Sequence, residues 1–199
     1  MRALLLVDIQ TDFMPGGALA VPDGDAVVPA ANHLMIDFEW VAATQDWHPP
    51  GHFSFASSHP GRRPGEELET AGGPQTLWPD HCVQGSVGAA LDGRLAQGPI
   101  HAIFRKGTDP SVDSYSAFFD HHHRRSTGLN GWLRGLGVRE VHLVGLATDY
   151  CILYTALDAL SLGFEVVVHR DGVRAVEMKA GDGDAALGRI AEAGGMITS

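Results

Sequence analysis

The stretch "EVHLVGLATDYCILYTALDAL", Glu140–Leu160, changes character in its middle. Glu140–Ala147 is short, nearly continuously apolar and rich in β-branched residues, the pattern of a strand covered on both faces of a parallel sheet. From Cys151 a helical pattern runs to Leu162, and Gly163 offers its C-terminal stop. Strand passing directly into helix is the unit of an alternating α/β fold. The strand pattern recurs in "ALLLVDI" (Ala3–Ile9), in "WVAATQDWH" from Trp40, in "HAIFRKG" (His101–Gly107) and in "FEVVVHRDG" from Phe164. "GMITS" forms a short last strand, and further helices are predicted near Ala26–Asp37, Asn130–Gly135 and Asp184–Ala193, with Gly194 as a second stop. The expected fold is therefore α/β with three α/β/α layers, a mostly parallel central sheet of about six strands and Rossmann-like winding. No internal repeat or linker divides the 199 residues, so 1–199 is expected to be one domain.

Bulk composition narrows the function. The formal charge is −10, from 24 acids against 14 Lys plus Arg. Such a surface repels nucleic acid and anionic membrane and favours a small neutral or cationic ligand. No apolar run approaches the ~20 residues of a membrane span. "MRALLLVDIQ" does not read as a signal peptide, because an acid ends its brief apolar stretch. Two cysteines, Cys82 and Cys151, make no disulfide framework, and cytoplasmic residence with reduced thiols is expected. The segment Pro49–Pro79 is rich in Gly, Pro, Ser and His, and a loop that long inside a compact domain is usually functional or mobile.

Four strands end in chemically capable residues: Asp8, then Asp46 with His48, then Lys106, then Cys151. In open parallel sheets ligands bind beyond the carboxyl ends of the strands, so these residues are expected to converge. Each alone has a plainer reading, as a turn cap, a solvated strand end or a small core residue. Together they make a Cys–Lys–Asp nucleophilic centre. The unpaired N–H groups of the helix after Cys151, and the Lys106 ammonium, are expected to favour the thiolate, with Asp8 as proton acceptor. A second cluster gathers Asp46, His48, His52 and, across the loop of about 47–80, His81. One carboxylate with two or three imidazoles suits zinc, iron or manganese. His59, His101, His142 and His169 read as solvated, Asp120–Gly128 as an exposed polar turn, and Cys82 as a buried structural thiol.

With those residues in view, the chain resembles the nicotinamidase/pyrazinamidase family of the isochorismatase-like cysteine hydrolases. "LLLVDIQTDFMPGGALAV", "ATQDWHPPGHFSF", "WPDHCVQGSVGA", "RKGTDPSVDSYSAFFD" and "VGLATDYCILYTALDA" carry the resemblance, which extends over nearly the whole chain. It implies a triad of Asp8, Lys106 and Cys151. It also implies metal ligands Asp46, His48 and His81, with His52 a ligand in some members only. Phe13, Trp78 and Tyr115 match the aromatic walls of a pyridine pocket. Leu146–Ala147 matches a cis peptide whose Ala147 N–H, with that of Cys151, would face a developing oxyanion. One divalent ion, zinc first, would hold the ring nitrogen of nicotinamide while a cysteine thioester forms. The reaction would serve NAD salvage and extend to pyrazinamide. The alternatives are a related amidase for N-carbamoyl or ureido acids, and a non-catalytic metal or thiol sensor. An ether hydrolase of the isochorismate type fits less, because that chemistry does not use the cysteine. The role of Tyr150, which varies among members, and the oligomeric state stay open.

Overall fold

The structure, a computed structural model, describes residues 1–70 and 73–198. Six parallel strands form the central sheet in the order β5-β2-β1-β6-β7-β8. They are β1 (Arg2–Val7), β2 (Trp40–Asp46), β5 (Ala102–Lys106), β6 (Glu140–Leu146), β7 (Glu165–Arg174) and β8 (Met196–Thr198). The last strand begins within the "GMITS" segment, whose Ser199 lies outside the described residues. The helices are α1 (Val27–Leu34), α2 (Leu129–Gly135), α3 (Leu153–Ser161) and α4 (Asp182–Glu192).

Alternation along β1 builds two cores. Ala3, Leu5 and Val7 join one apolar cluster with residues of α2, α3 and α4, while Leu4 and Leu6 join another with α1. Successive side chains of a strand point to opposite faces, so both faces of β1 are covered. Gly163 and Gly194 adopt positive φ just after α3 and α4, as the predicted stops require. One expectation is corrected here. β5 is an edge strand of alternating exposure, with Ile103 48% exposed, rather than a strand buried on both faces. An edge strand has a neighbour on one side only, and less of its surface is covered.

The long loop also carries structure of its own. Within it lie a 3-10 turn at Ala56–Ser58 and an antiparallel pair, β3 (Glu67–Thr70) and β4 (Gly73–Thr76). Three of the histidines expected to be solvated, His59, His142 and His169, are buried or half-buried and hydrogen-bonded. His142 is buried, with Nε2 2.5 Å from Glu140 Oε1 and Nδ1 2.8 Å from His169 Nε2, and half-buried His59 reaches the Phe53 carbonyl. Of the segment Asp120–Gly128, residues 121–126 and 128 are exposed as expected, whereas Asp120 is buried and its carboxylate accepts the N–H groups of His122, Arg124 and Arg125.

The order reverses at β1, with β2 on one side and β6 on the other. Connections therefore leave β1 and β6 in opposite directions and open a crevice beyond their carboxyl ends.

Candidate active site and metal centre

β1 ends at Val7, and Asp8 follows in the left-handed region at φ 49. A non-glycine residue there is uncommon and marks a place where structure overrides local preference. Thr44 of β2 holds this carboxylate: its Oγ1 donates to Asp8 Oδ1 at 2.6 Å and accepts the Asp8 N–H at 3.1 Å. Gly145 of β6 lets the two strand ends approach, since a Cβ there would lie 2.0 Å from the Val7 carbonyl oxygen.

Lys106 ends β5 directly beside Asp46, the last residue of β2, and both are buried. Its ammonium contacts four groups. It donates to Asp46 Oδ1 and to the Ser114 carbonyl at 3.0 Å, lies 2.9 Å from Asp8 Oδ2, and reaches Cys151 Sγ at 3.3 Å. Cys151 sits in a wide π-type turn, Thr148–Ile152, between β6 and α3, and is 6% exposed. The N–H groups of Tyr150 and Ile152 both donate to the Ala147 carbonyl, and Leu146–Ala147 is cis.

The charge state of the thiol differs from the sequence expectation. Burial pushes the Cys151 thiol well above the ordinary range, and the carboxylates of Asp8 and Asp46 reinforce this against the pull of Lys106. Burial thus favours the protonated thiol, and Asp8 stands where a base would take its proton. Burial also raises Asp8, against Lys106. Burial opposes the Lys106 charge, yet the carboxylates of Asp46 and Asp8 overcome it and hold Lys106 protonated well past its usual range. Alkylation of wild-type Cys151 by iodoacetamide should therefore inflect above the ~8.5 of a free thiol. In Lys106→Met it should inflect higher still, because the one nearby cation is gone. Equal inflections in the two proteins would mean that the ammonium does not act on the thiol.

Beside this group, Asp46, His48 and His81 bring one ligating atom each within 4.8 Å of one another, all buried. Asp46 is shared: Oδ1 faces Lys106, while Oδ2 lies 3.7 Å from His48 Nε2 and 3.8 Å from His81 Nε2. Burial opposes its charge, but Lys106 and His48 keep Asp46 well below the usual carboxylate range. His48 Nδ1 is 3.0 Å from the Gly107 carbonyl and His81 Nδ1 is 2.8 Å from that of Pro79. A carbonyl only accepts, so each Nδ1 carries a proton and each Nε2 is turned toward Asp46, the usual outer support of a metal ligand. The donor set therefore fits a divalent ion. His52 falls outside this group. It joins His48 and Asp113 in a second one, and its buried Nε2 has no hydrogen-bond partner.

Gly107 fixes His48 against its carbonyl. At φ +64, a Cβ there would meet His48 Cε1 at 2.4 Å. Gly107→Ala should displace the imidazole and weaken Zn(II) binding roughly 10- to 100-fold, readable by competition with a chelator. Unchanged affinity would separate His48 from the metal group.

The aromatic residues divide. Trp78 Nε1 donates to the Tyr115 hydroxyl at 3.0 Å, and Tyr150 packs edge-on against both rings at 4.9 and 5.2 Å. Phe13 instead lies 5.6 Å from the His81 ring. The sequence had singled out neither Gln10 nor Thr44, the polar residues that hold Asp46 and Asp8. Gln10 is fully buried and pairs with both backbone groups of Asp46, at 2.8 and 2.9 Å. Their signal was present: each is a polar residue in or beside an otherwise apolar strand. Cys82 is buried and free, and its N–H donates to Asp12 at 2.7 Å.

Residues 2–199 match the model of the isochorismatase domain. The chain belongs to the isochorismatase family. Within that family it is 52% identical over 201 residues to the nicotinamidase of Escherichia coli K12, covering 98% of this chain and 93% of that protein. Its fold superposes on the nicotinamidase/pyrazinamidase of Acinetobacter baumanii with a TM-score of 0.96 at 42% identity, covering 100% of this chain and 95% of the other. The pyrazinamidase of Pyrococcus horikoshii, solved in complex with zinc, superposes with a TM-score of 0.80 at 39% identity, covering 100% and 98%. Among the described residues no helix is long and apolar enough to cross a membrane.

Proposed function

We propose that residues 1–199 form a single hydrolase domain, a nicotinamidase that converts nicotinamide and water into nicotinate and ammonia. The observation that carries this is the shared ion pair. Lys106 touches Cys151, Asp8 and Asp46, and the far oxygen of Asp46 faces the Nε2 atoms of two imidazoles. A nucleophile and a metal group joined through one carboxylate suit a small ring with an amide at one end and a coordinating nitrogen at the other. The 52% identity to a nicotinamidase supports the same substrate.

Asp8 accepts the Cys151 proton, and the sulfur attacks the amide carbon. The N–H groups of Ala147 and Cys151 hold the oxyanion, a contribution worth about 3–4 kcal/mol per donor in comparable sites. Asp8 returns the proton to the departing nitrogen, the C–N bond breaks and ammonia leaves a thioester. Asp8 then takes a proton from water, whose oxygen attacks the thioester carbon. The C–S bond breaks and the proton returns to the sulfur. Lys106 stays protonated throughout and balances the charge that moves between Asp8 and Cys151. Phe13, Trp78 and Tyr115 form the walls around the ring. A divalent ion held by Asp46, His48 and His81 supplies, when bound, a Lewis-acid partner for the pyridine nitrogen; zinc is the first choice and iron or manganese the alternatives. His52, the possible further ligand, stands with His48 and Asp113 rather than in this group.

Pyrazinamide presents the same amide and a ring nitrogen in the same relation, so it is expected to be a second substrate. The setting proposed is NAD salvage in the cytoplasm. An N-carbamoyl or ureido acid offers no pyridine nitrogen to the Asp46–His48–His81 group, and a metal or thiol sensor has no need of Asp8 or Lys106. Ammonia release from nicotinamide should be readily measured, be lost on chelation and return with Zn(II). Absence of release from the metal-loaded protein would sink the proposal.

A further inference from the structure

Asp113 is a buried carboxylate, 3% exposed, with no function in the mechanism above. Its Oδ1 accepts the Ser114 N–H at 2.8 Å and its Oδ2 accepts Gln75 Nε2 at 3.1 Å, both neutral donors. Among the described residues no lysine or arginine pairs with it. The groups that act on it electrostatically are the imidazoles of His48, His121 and His52 and the carboxylate of Asp46. His48, His52 and Asp113 bring ligating atoms within 4.8 Å of one another, and the rings of His48 and His52 lie 4.3 Å apart. His52 Nε2 is the buried polar atom left without a partner in that space.

Burying a charge without compensation costs several kcal/mol, so a buried carboxylate implies a counter-charge. The buried charged side chains around the site are Asp8, Asp46, Asp113 and Lys106, three carboxylates against one ammonium. Asp113 adds a carboxylate on the side of His48 away from Asp46, within 4.8 Å of the His48 and His52 ligating atoms, where a bound cation would compensate it.

We propose that Asp113, with His52 beside it, forms an outer layer around the Asp46–His48–His81 group that sets its affinity for a divalent ion. This rests on the reading of that group as a metal centre but not on the identity of the substrate. The sequence motifs did not single out Asp113, and it lies on no regular element.

The test uses the full chain, Zn(II) and a competing chelator, with thermal melting of the metal-free and metal-loaded forms. Asp113→Asn keeps the shape and an acceptor for Ser114, removes the charge, and turns the atom facing Gln75 Nε2 from an acceptor into a donor, which a flip of the Gln75 amide can meet. Its Zn(II) dissociation constant should rise roughly 10- to 100-fold. Its metal-free form should melt at the same temperature as wild type or higher, because an uncompensated buried charge has gone, while the stabilisation gained from Zn(II) shrinks. His52→Gln should weaken Zn(II) binding in the same direction, by a smaller factor. Wild-type affinity in Asp113→Asn, or an equal loss of stability with and without metal, would assign the carboxylate a packing role and overturn the inference. Failure of the wild-type protein to bind Zn(II) would overturn the metal centre along with it. Benzoate-like or pyridine substrates are not needed for any of these measurements, so a wrong substrate assignment leaves them intact.

Discussion

Ammonia release from nicotinamide should fall by roughly 10⁴-fold or more in Cys151→Ala, while Zn(II) content and nicotinamide binding remain close to wild type. The size follows from the mechanism, since without the sulfur no thioester forms and only positioning of water by the rest of the site is left. Retention of the metal follows from the architecture. Cys151 hangs from the turn after β6, whereas Asp46 ends β2, His48 follows it and His81 lies at the far end of the long loop. The side chain lost is small, so the neighbouring Ile152 and Leu153 should keep their packing. The measurements are single-turnover ammonia release and metal analysis of the purified variant. Release at a substantial fraction of the wild-type rate would exclude covalent catalysis by Cys151.

The second large effect is expected between substrates. Benzamide has the amide and nearly the shape of nicotinamide but lacks the ring nitrogen. A site built around a polar contact rejects the analogue that lacks the atom, by up to ~10⁴ in favourable cases, whereas an apolar pocket barely discriminates. Wild-type turnover of benzamide should therefore be very poor. His48→Ala should cut nicotinamide turnover steeply while hardly changing the residual benzamide rate. The comparison is a double-mutant cycle in which one of the changes is made in the substrate, and only an interaction between imidazole-held metal and ring nitrogen leaves a coupling. Equal losses on both substrates would give His48 a part in the fold or in water activation. Similar wild-type rates on the two amides would refute pyridine coordination.

The pattern of the chain determined much of this protein. Short apolar runs broken by helical spacing dictated a parallel α/β sheet, because only strands covered on both faces can be apolar at every position. The placement of Asp8, Asp46, Lys106 and Cys151 at or after strand ends put them at one edge, because all strands of a parallel sheet end on the same side. Glycines 163 and 194 marked helix ends through a backbone conformation that other residues resist. Other features were decided only in three dimensions. Lys106 does favour the Cys151 thiolate as its sequence position implied, yet burial beside two carboxylates pushes the thiol the other way. Whether His52 stands with Asp46 or with Asp113 depends on how the loop after β2 folds back, which no spacing encodes. Thr44, Gln10 and Asp113 act through contacts 36 to 65 residues away. Periodicity reports which face of an element is buried, a property of neighbours a few residues apart. Which buried polar groups meet, and what charge they share, is set by the packing of whole elements, and so by the tertiary structure alone.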